Sequence, residues 1–233
     1  TFYSGDPLEY GKLLVGKTIL SSKGYGMFVD FYLSGNVIMN IGDGVSARYY
    51  NPGDKVPANY QLLLTFKDES FLVFTVAMYG FISAYPDAVI DNKYYTISRE
   101  SISPLSDAYT EAEFGKLFAS AKKTLTAKAL LATEQRIPGV GNGVTQDILF
   151  NAGIHPKQKV FDLSDGQKGV LFKSLKDTLM VMTSGRGRDT QTDLYGNEGG
   201  YKTILSSKTW KNPCPRCGSV IVKEAYLGGS VYY

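Results

Sequence analysis

The chain has 233 residues, 43% apolar and 20% charged, with a formal net charge of +3. That length suits one large domain or two smaller ones, and the composition is ordinary for a soluble globular protein. Two cysteines argue against a disulfide scaffold. No stretch approaches the roughly 20 apolar residues that span a membrane. The start, TFYSGDPLEY, has neither the basic opening nor the apolar run of a signal peptide, so a reducing cytoplasm is the default.

Residues 1–105 read as β. MFVDFY and NVIMN (residues 27–32 and 36–40) flank a Leu-Ser-Gly turn, and YQLLLTF and FLVFTV (residues 60–66 and 71–76) flank Lys-Asp-Glu-Ser. Each pair is a hairpin signal rich in aromatic and β-branched residues. Strand following strand without helical periodicity predicts an antiparallel sandwich. At residue 106 the pattern changes, and residues 106–208 read as a helical domain. Thr110-Glu-Ala-Glu113 is a capping box, followed by Phe114, Leu117, Phe118 and Ala121 at helical spacing. A second helix is predicted over residues 126–135. A third starts near Asn142 or Gly143 and stops at Asn151-Ala-Gly153, and a fourth is capped by Ser164-x-x-Gln167. Residues 186–210, rich in Gly, Asn, Asp and Thr, read as a long loop, a form that often carries function. Residues 209–233 close the chain with a hairpin pattern, IVKEAY and SVYY about Leu-Gly-Gly.

Two stretches carry chemistry. In QRIPGVGNGVTQDILFNAGIHP, closely spaced glycines join two helices and open the second. Glycine permits close backbone approach, and the first amides of a helix lack internal partners and carry partial positive charge. Such a turn can hold a phosphate or carboxylate, or it can be a tight connector only. Lys128, Arg136 and the Asn142 amide would favour the anion, and residues 116–136 hold five Lys/Arg against one acid, Glu134. In NPCPRCGS, Cys214 and Cys217 stand in C-x-x-C spacing among Pro213, Pro215 and Gly218. That is the look of a zinc knuckle rather than a redox motif, yet it supplies two ligands where structural zinc takes four. His155, the sole histidine, reads as an ordinary loop residue. With one histidine and no G-x-S-x-G, most Ser-His-Asp hydrolases are excluded.

The two motifs in this order, LLATEQRIPGVGNGVTQDILFNAGIHP and PCPRCGSVIVKEAYLGGSVYY, resemble the formamidopyrimidine-DNA glycosylase / endonuclease VIII family. The likeness runs from about Thr126 to the end, with a faint match over residues 11–80. It implies an α+β fold: an N-terminal antiparallel β-sandwich, a helix-two-turn-helix domain and a C-terminal zinc-finger β-hairpin. It implies a DNA glycosylase and AP lyase of base-excision repair, acting as a monomer in the cytoplasm on duplex DNA with damaged or abasic sites. The damaged nucleotide would be flipped out of the stack. Asn142, with the amides of Gly141 and Gly143, and Lys128 would hold phosphates. Residues 186–201, with Arg186, Arg188 and Tyr201, would match the loop that closes over the flipped base. Cys214 and Cys217 would be the first pair of structural Zn2+ ligands, the others expected just beyond Tyr233.

Departures from the family pattern are informative. The family nucleophile is an N-terminal Pro amine followed by Glu, forming a Schiff base; this chain begins Thr1-Phe2-Tyr3, so a preceding segment of tens of residues is expected. A family Lys falls near Tyr25, with Lys23 as its only candidate replacement. The residues that fill the hole left by the flipped base fall on Asp43, Met78 and Tyr79, of which Tyr79 could wedge between bases. The finger Arg falls on Gly229. A non-catalytic damaged-DNA-binding relative and a generic zinc-ribbon interaction module are the alternatives.

Overall fold

The computed structural model describes residues 6–86 and 90–233, and the departures at Thr1, Phe2 and Tyr3 lie outside them. The chain divides into two compact units. One comprises the residues up to Glu100 with the short segment Thr192–Asn197, and the other comprises Ser101–Gln191 with Glu198–Tyr233. The division expected at residue 105 therefore falls after Glu100, and residues 192–197 of the expected helical domain go with the β unit. The C-terminal hairpin shares one unit with the helices instead of standing as a third.

The first unit opens with a 3-10 turn, Pro7–Glu9, and a short helix α1 (Tyr10–Leu14). Seven strands follow: β1 (Ile19–Tyr25), β2 (Phe28–Leu33), β3 (Val37–Ile41), β4 (Val45–Tyr50), β5 (Leu62–Thr65), β6 (Phe71–Val76) and β7 (Ile82–Pro86), then helix α2 (Lys93–Glu100). They form a four-stranded sheet in the order β1-β2-β3-β7 and a three-stranded sheet in the order β4-β6-β5, with antiparallel pairing. Alternation along the strands sends Leu33, Val37, Met39, Ile41 and Ile82 of one sheet against Leu72 and Phe74 of the other. Both predicted hairpins are present. The first turns through Gly35 (φ +75°) and Asn36 (φ +58°), the two residue types that enter the left-handed region most readily.

The opposite face of the four-stranded sheet explains why β3 is buried along its whole length. Asp30 and Asn40, both 0% exposed, point to that face beneath α2. The Asp30 carboxylate accepts hydrogen bonds from Tyr95 Oη at 2.6 Å and Asn40 Nδ2 at 2.5 Å. Helix α2 corrects the expectation of β structure throughout residues 1–105, as does α1. The stretch KYYTISRE is rich in residues of high strand propensity. Its helix is started by Asn92, whose side chain accepts from the amides of Tyr94 (2.9 Å) and Tyr95 (3.1 Å), and it is kept by the burial of Tyr95.

The second unit contains α3 (Glu111–Ala119), α4 (Ala127–Ala132), α5 (Asn142–Ala152) and α6 (Asp165–Ser184), then β8 (Lys223–Tyr226) and β9 (Gly229–Tyr232). Thr110 caps α3 by accepting from Glu113 N, while the Glu113 carboxylate turns to Lys116 at 2.5 Å. Ser164 and Gln167 make both legs of a capping box on α6. Gly153, at φ +66°, ends α5 in the left-handed conformation a C-terminal glycine supplies. Helix α4 stops at Ala132, short of the predicted residue 135, because Thr133 is extended and Glu134 and Gln135 have φ of +58° and +49°. Phe114, Leu130, Leu131, Ile137, Ile148, Leu171 and Leu175 form the core. Residues 186–210 contain neither helix nor strand. Leu227 and Gly228, both at positive φ, make the tight turn of the β8–β9 hairpin.

Candidate nucleic-acid interface

The connector between α4 and α5 is held from inside by its apolar residues. Ile137 and Val140 are buried, and Gly139 takes φ +85° between them. This leaves Gly141 at the N-cap of α5, with no side chain to satisfy the first amides of the helix and no acid in its first turn. Those amides have no intrahelical acceptor, and the helix dipole is positive there. A cation joins them. The guanidinium of Arg188 lies so close to Gly143 that an added Cβ would fall 2.3 Å from its Nη1. Placing Arg beside a helix N-terminus opposes the dipole unless an anion joins it, and backbone amides, an Asn side chain and Arg together suit a phosphate.

A buried carboxylate that the sequence reading passed over lies in the field of Arg188. Asp147, 0% exposed and one turn along α5, accepts from Ile204 N at 2.9 Å and Leu205 N at 2.8 Å. It also accepts a hydrogen bond from the Tyr201 hydroxyl and faces the charge of Arg188. Burial pushes the Asp147 carboxyl up, and the hydrogen bonds from Ile204, Leu205 and Tyr201 pull it back down. Burial and the neighbouring Asp147 raise the Tyr201 phenol. Tyr201 is therefore an internal strut of the loop. Arg186 is exposed at the end of α6 in a left-handed conformation, φ +57°.

The hairpin is fastened to the same helices by residues expected to hold phosphates. Lys128 is 1% exposed and its amine donates to the carbonyl of Tyr226, with burial lowering its pKa. Asn142 Nδ2 donates to the Ser230 carbonyl at 3.1 Å, and Gln146 Nε2 donates to the same oxygen at 3.0 Å. Gln146 Oε1 in turn accepts from Tyr232 N at 3.2 Å. Gly229 leaves room for this: a Cβ there would sit 3.1 Å from Asn142 Nδ2. Gln146 and Asp147 were missed in sequence, and the signal was available: they are polar residues inside the buried turn of α5. His155 packs edge-on against Tyr233 at 4.2 Å, a structural role.

Cys214 and Cys217 are both free thiols on one tight turn. Cys214 N donates to Ser219 O at 2.8 Å, Gly218 N donates to Cys214 O at 2.8 Å, and Gly218 takes φ +76°. Ser219, by donating to the sulfur, holds the Cys217 thiol below its ordinary range. Among the described residues no group of three or more His, Cys, Asp or Glu converges on a metal position. Two thiols in C-x-x-C spacing are half the number of ligands that a structural zinc takes.

In the first unit, the loop bearing Asp43 and the loop bearing Met78 and Tyr79 meet through glycine. A Cβ on Gly44 (φ +84°) would lie 2.4 Å from the Ala77 carbonyl, and one on Gly80 would lie 2.7 Å from Gly44. Tyr79 and Met78 crown this contact at 91% and 81% exposure. Lys23 is exposed on β1, 5.0 Å from the ring of Tyr25, and among the described residues it has no nucleophile-activating partner.

No protein-family model matches the chain. Curated relatives match it along nearly its whole length. The formamidopyrimidine-DNA glycosylase of Cytobacillus firmus is 25% identical over 234 residues, covering 98% of this chain and 84% of that protein. That of Listeria innocua is 28% identical, covering 97% and 84%. Among solved structures, a complex of the Lactococcus lactis Fpg with DNA containing an abasic site superposes with a TM-score of 0.79 at 20% identity, covering 97% of this chain and 84% of that one. The MutM (Fpg) protein of Thermus thermophilus gives 0.78 at 22% identity, covering 100% and 85%. Along its length this chain is similar in sequence to formamidopyrimidine-DNA glycosylases, and it shares the fold of the solved structures.

Proposed function

We propose that this protein binds duplex DNA containing a damaged or missing base and works as a DNA glycosylase with AP-lyase activity. The observation that carries the reading is the uncapped start of α5, where Gly141, Asn142 and Gly143 meet the guanidinium of Arg188. A phosphate accepting the two amides and Arg188 would answer the charge that the fold gathers there. Asn142 and Gln146 tie the hairpin to the same helix, so a phosphate here and the hairpin tip would be read together. Tyr79, exposed on its loop, is the apolar wedge the reading assigns to the hole left by a flipped base.

In the relatives' chemistry an amine attacks C1′ and the glycosidic bond breaks, leaving a Schiff base. Lys128 does not fit that part, because its amine is buried and donates to Tyr226 O. Lys23 is open to solvent but has no base beside it among the described residues, and the N-terminal amine of the natural protein remains our assignment. Cys214 and Cys217 would hold a structural zinc that stiffens the turn below the hairpin, with no part in bond breaking.

Borohydride trapping tests the function. The natural full-length protein is expected to form a covalent adduct with abasic-site DNA. Salt-sensitive binding to that DNA with no adduct would favour the non-catalytic relative. Equal affinity for intact and abasic duplexes would sink both readings in favour of a zinc-ribbon interaction module. Zinc analysis of the same protein should return about one ion per chain, lost in Cys214→Ser.

A further inference from the structure

We propose that the first unit carries an anion site of its own, built from Arg99, Lys23 and Tyr25, which takes a phosphodiester of bound DNA; the DNA part rests on the function proposed above. The site starts from a buried charge. Asp30, at 0% exposure in β2, receives the hydroxyl proton of Tyr95 at 2.6 Å. With that proton committed, the Tyr95 oxygen can only accept from its other neighbour, and Arg99 Nη1 donates to it at 3.2 Å. One face of the guanidinium is thus fixed through two hydrogen bonds to a carboxylate that cannot itself reach solvent. Arg99 is exposed, and among the described residues this is the hydrogen bond it makes. A guanidinium has five N–H donors, so most of them are left for a ligand.

A second cation is brought to the same place from a different element. Lys23 Nζ lies 5.0 Å and Arg99 Cζ 5.7 Å from the centre of the Tyr25 ring. The Tyr25 hydroxyl is held at 3.1 Å from that of Tyr32, which packs beside Asp30. Among the described residues neither cation has an acidic partner within ion-pair distance. Both cations stand at one aromatic ring, where cation–π attraction at an exposed site contributes only about 0.5–1 kcal/mol. A pre-oriented guanidinium and a lysine that share one aromatic ring offer the donors that recognise phosphate oxygens. Were α2 merely packed on the sheet, Tyr95 and its bond to Asp30 would suffice, and Arg99 would be dispensable.

The test is a salt series of binding to abasic-site duplex by the full-length protein. Arg99→Ala and Lys23→Ala should each weaken binding about tenfold and reduce the salt slope by about one. Arg99→Lys should restore the slope but not the full affinity. Tyr95→Phe, which releases the guanidinium without removing it, should fall between. Both cations are exposed, so unchanged thermal unfolding is expected and separates these effects from misfolding. Inorganic phosphate alone identifies the source: weak shifts of the Arg99 side-chain resonance, outcompeted by DNA, fit a phosphodiester site. Saturation by free phosphate that DNA cannot displace would overturn it. Unchanged slopes in Arg99→Ala and Lys23→Ala, with a reduced slope in Arg188→Ala, would overturn this site and leave the proposed function standing. Absence of DNA binding by the unaltered protein would remove the proposed function instead.

Discussion

Removing the Asp147 carboxylate should loosen the second unit more than any change at its surface. Asp147→Ala takes away the acceptor for two backbone amides, Ile204 at 2.9 Å and Leu205 at 2.8 Å, and the partner of the Tyr201 hydroxyl. Leu205 is 2% exposed, so its amide gains no easy substitute from water. A hydrogen bond to a charged group contributes about 1.5–3 kcal/mol. Two of them, less the desolvation no longer spent on a buried charge, give a loss of about 3–5 kcal/mol. At about 2–4 °C per kcal/mol for a chain of this size, the melting temperature should fall by about 10 °C. Asp147→Asn keeps one acceptor and should lose about half as much, and Tyr201→Phe about 1 kcal/mol. Circular dichroism through thermal unfolding measures all three. A melting temperature for Asp147→Ala within about 2 °C of the parent would refute the reasoning, since the loop at residues 201–205 would then have some other anchor.

Three further outcomes follow from the geometry. Gly143→Ala places a Cβ 2.3 Å from Arg188 Nη1, the mobile end of a long side chain. Helix propensity favours Ala by up to about 1 kcal/mol, so stability should hold or rise while affinity for abasic DNA falls, read by melting and by titration in parallel. Gly44→Ala forces a Cβ 2.4 Å from the Ala77 carbonyl at φ +84°, and should cost about 2–4 kcal/mol in urea unfolding of the first unit. The hairpin should loosen in acid. The Lys157 ammonium, 2.6 Å from Glu224, holds that carboxyl below its ordinary value. A depressed carboxylate stabilises the fold above its unfolded pKa and loses that contribution as pH falls through the folded one. The protection of β8 and β9 amides, measured against their intrinsic exchange rates, should therefore fall below about pH 4; Glu224→Gln should remove that pH dependence, and an unaltered profile would count against it.

Much of this protein was legible in one dimension because the signals act over three or four residues. Ser164 and Gln167 cap α6, Gly153 ends α5, and the glycines about Asn142 open it, all through bonds between near neighbours. The two hairpins of the sandwich announced themselves by alternation and turn residues. Strand propensity misread KYYTISRE, whose helix depends on the Asn92 cap and on burying Tyr95 against Asp30, a residue 65 positions away. Pairings across such distances left no local trace. Lys128 looked like a phosphate ligand until the fold put its amine on the carbonyl of Tyr226. Gln146 and Asp147 looked like ordinary polar positions until the hairpin and the loop supplied donors and acceptors for them. The sequence by itself determined where helices and turns begin and end, and which residues could meet a phosphate or a metal. The tertiary structure decided which of those polar groups face a ligand and which serve the fold, because a buried polar group must find its partner wherever packing brings one.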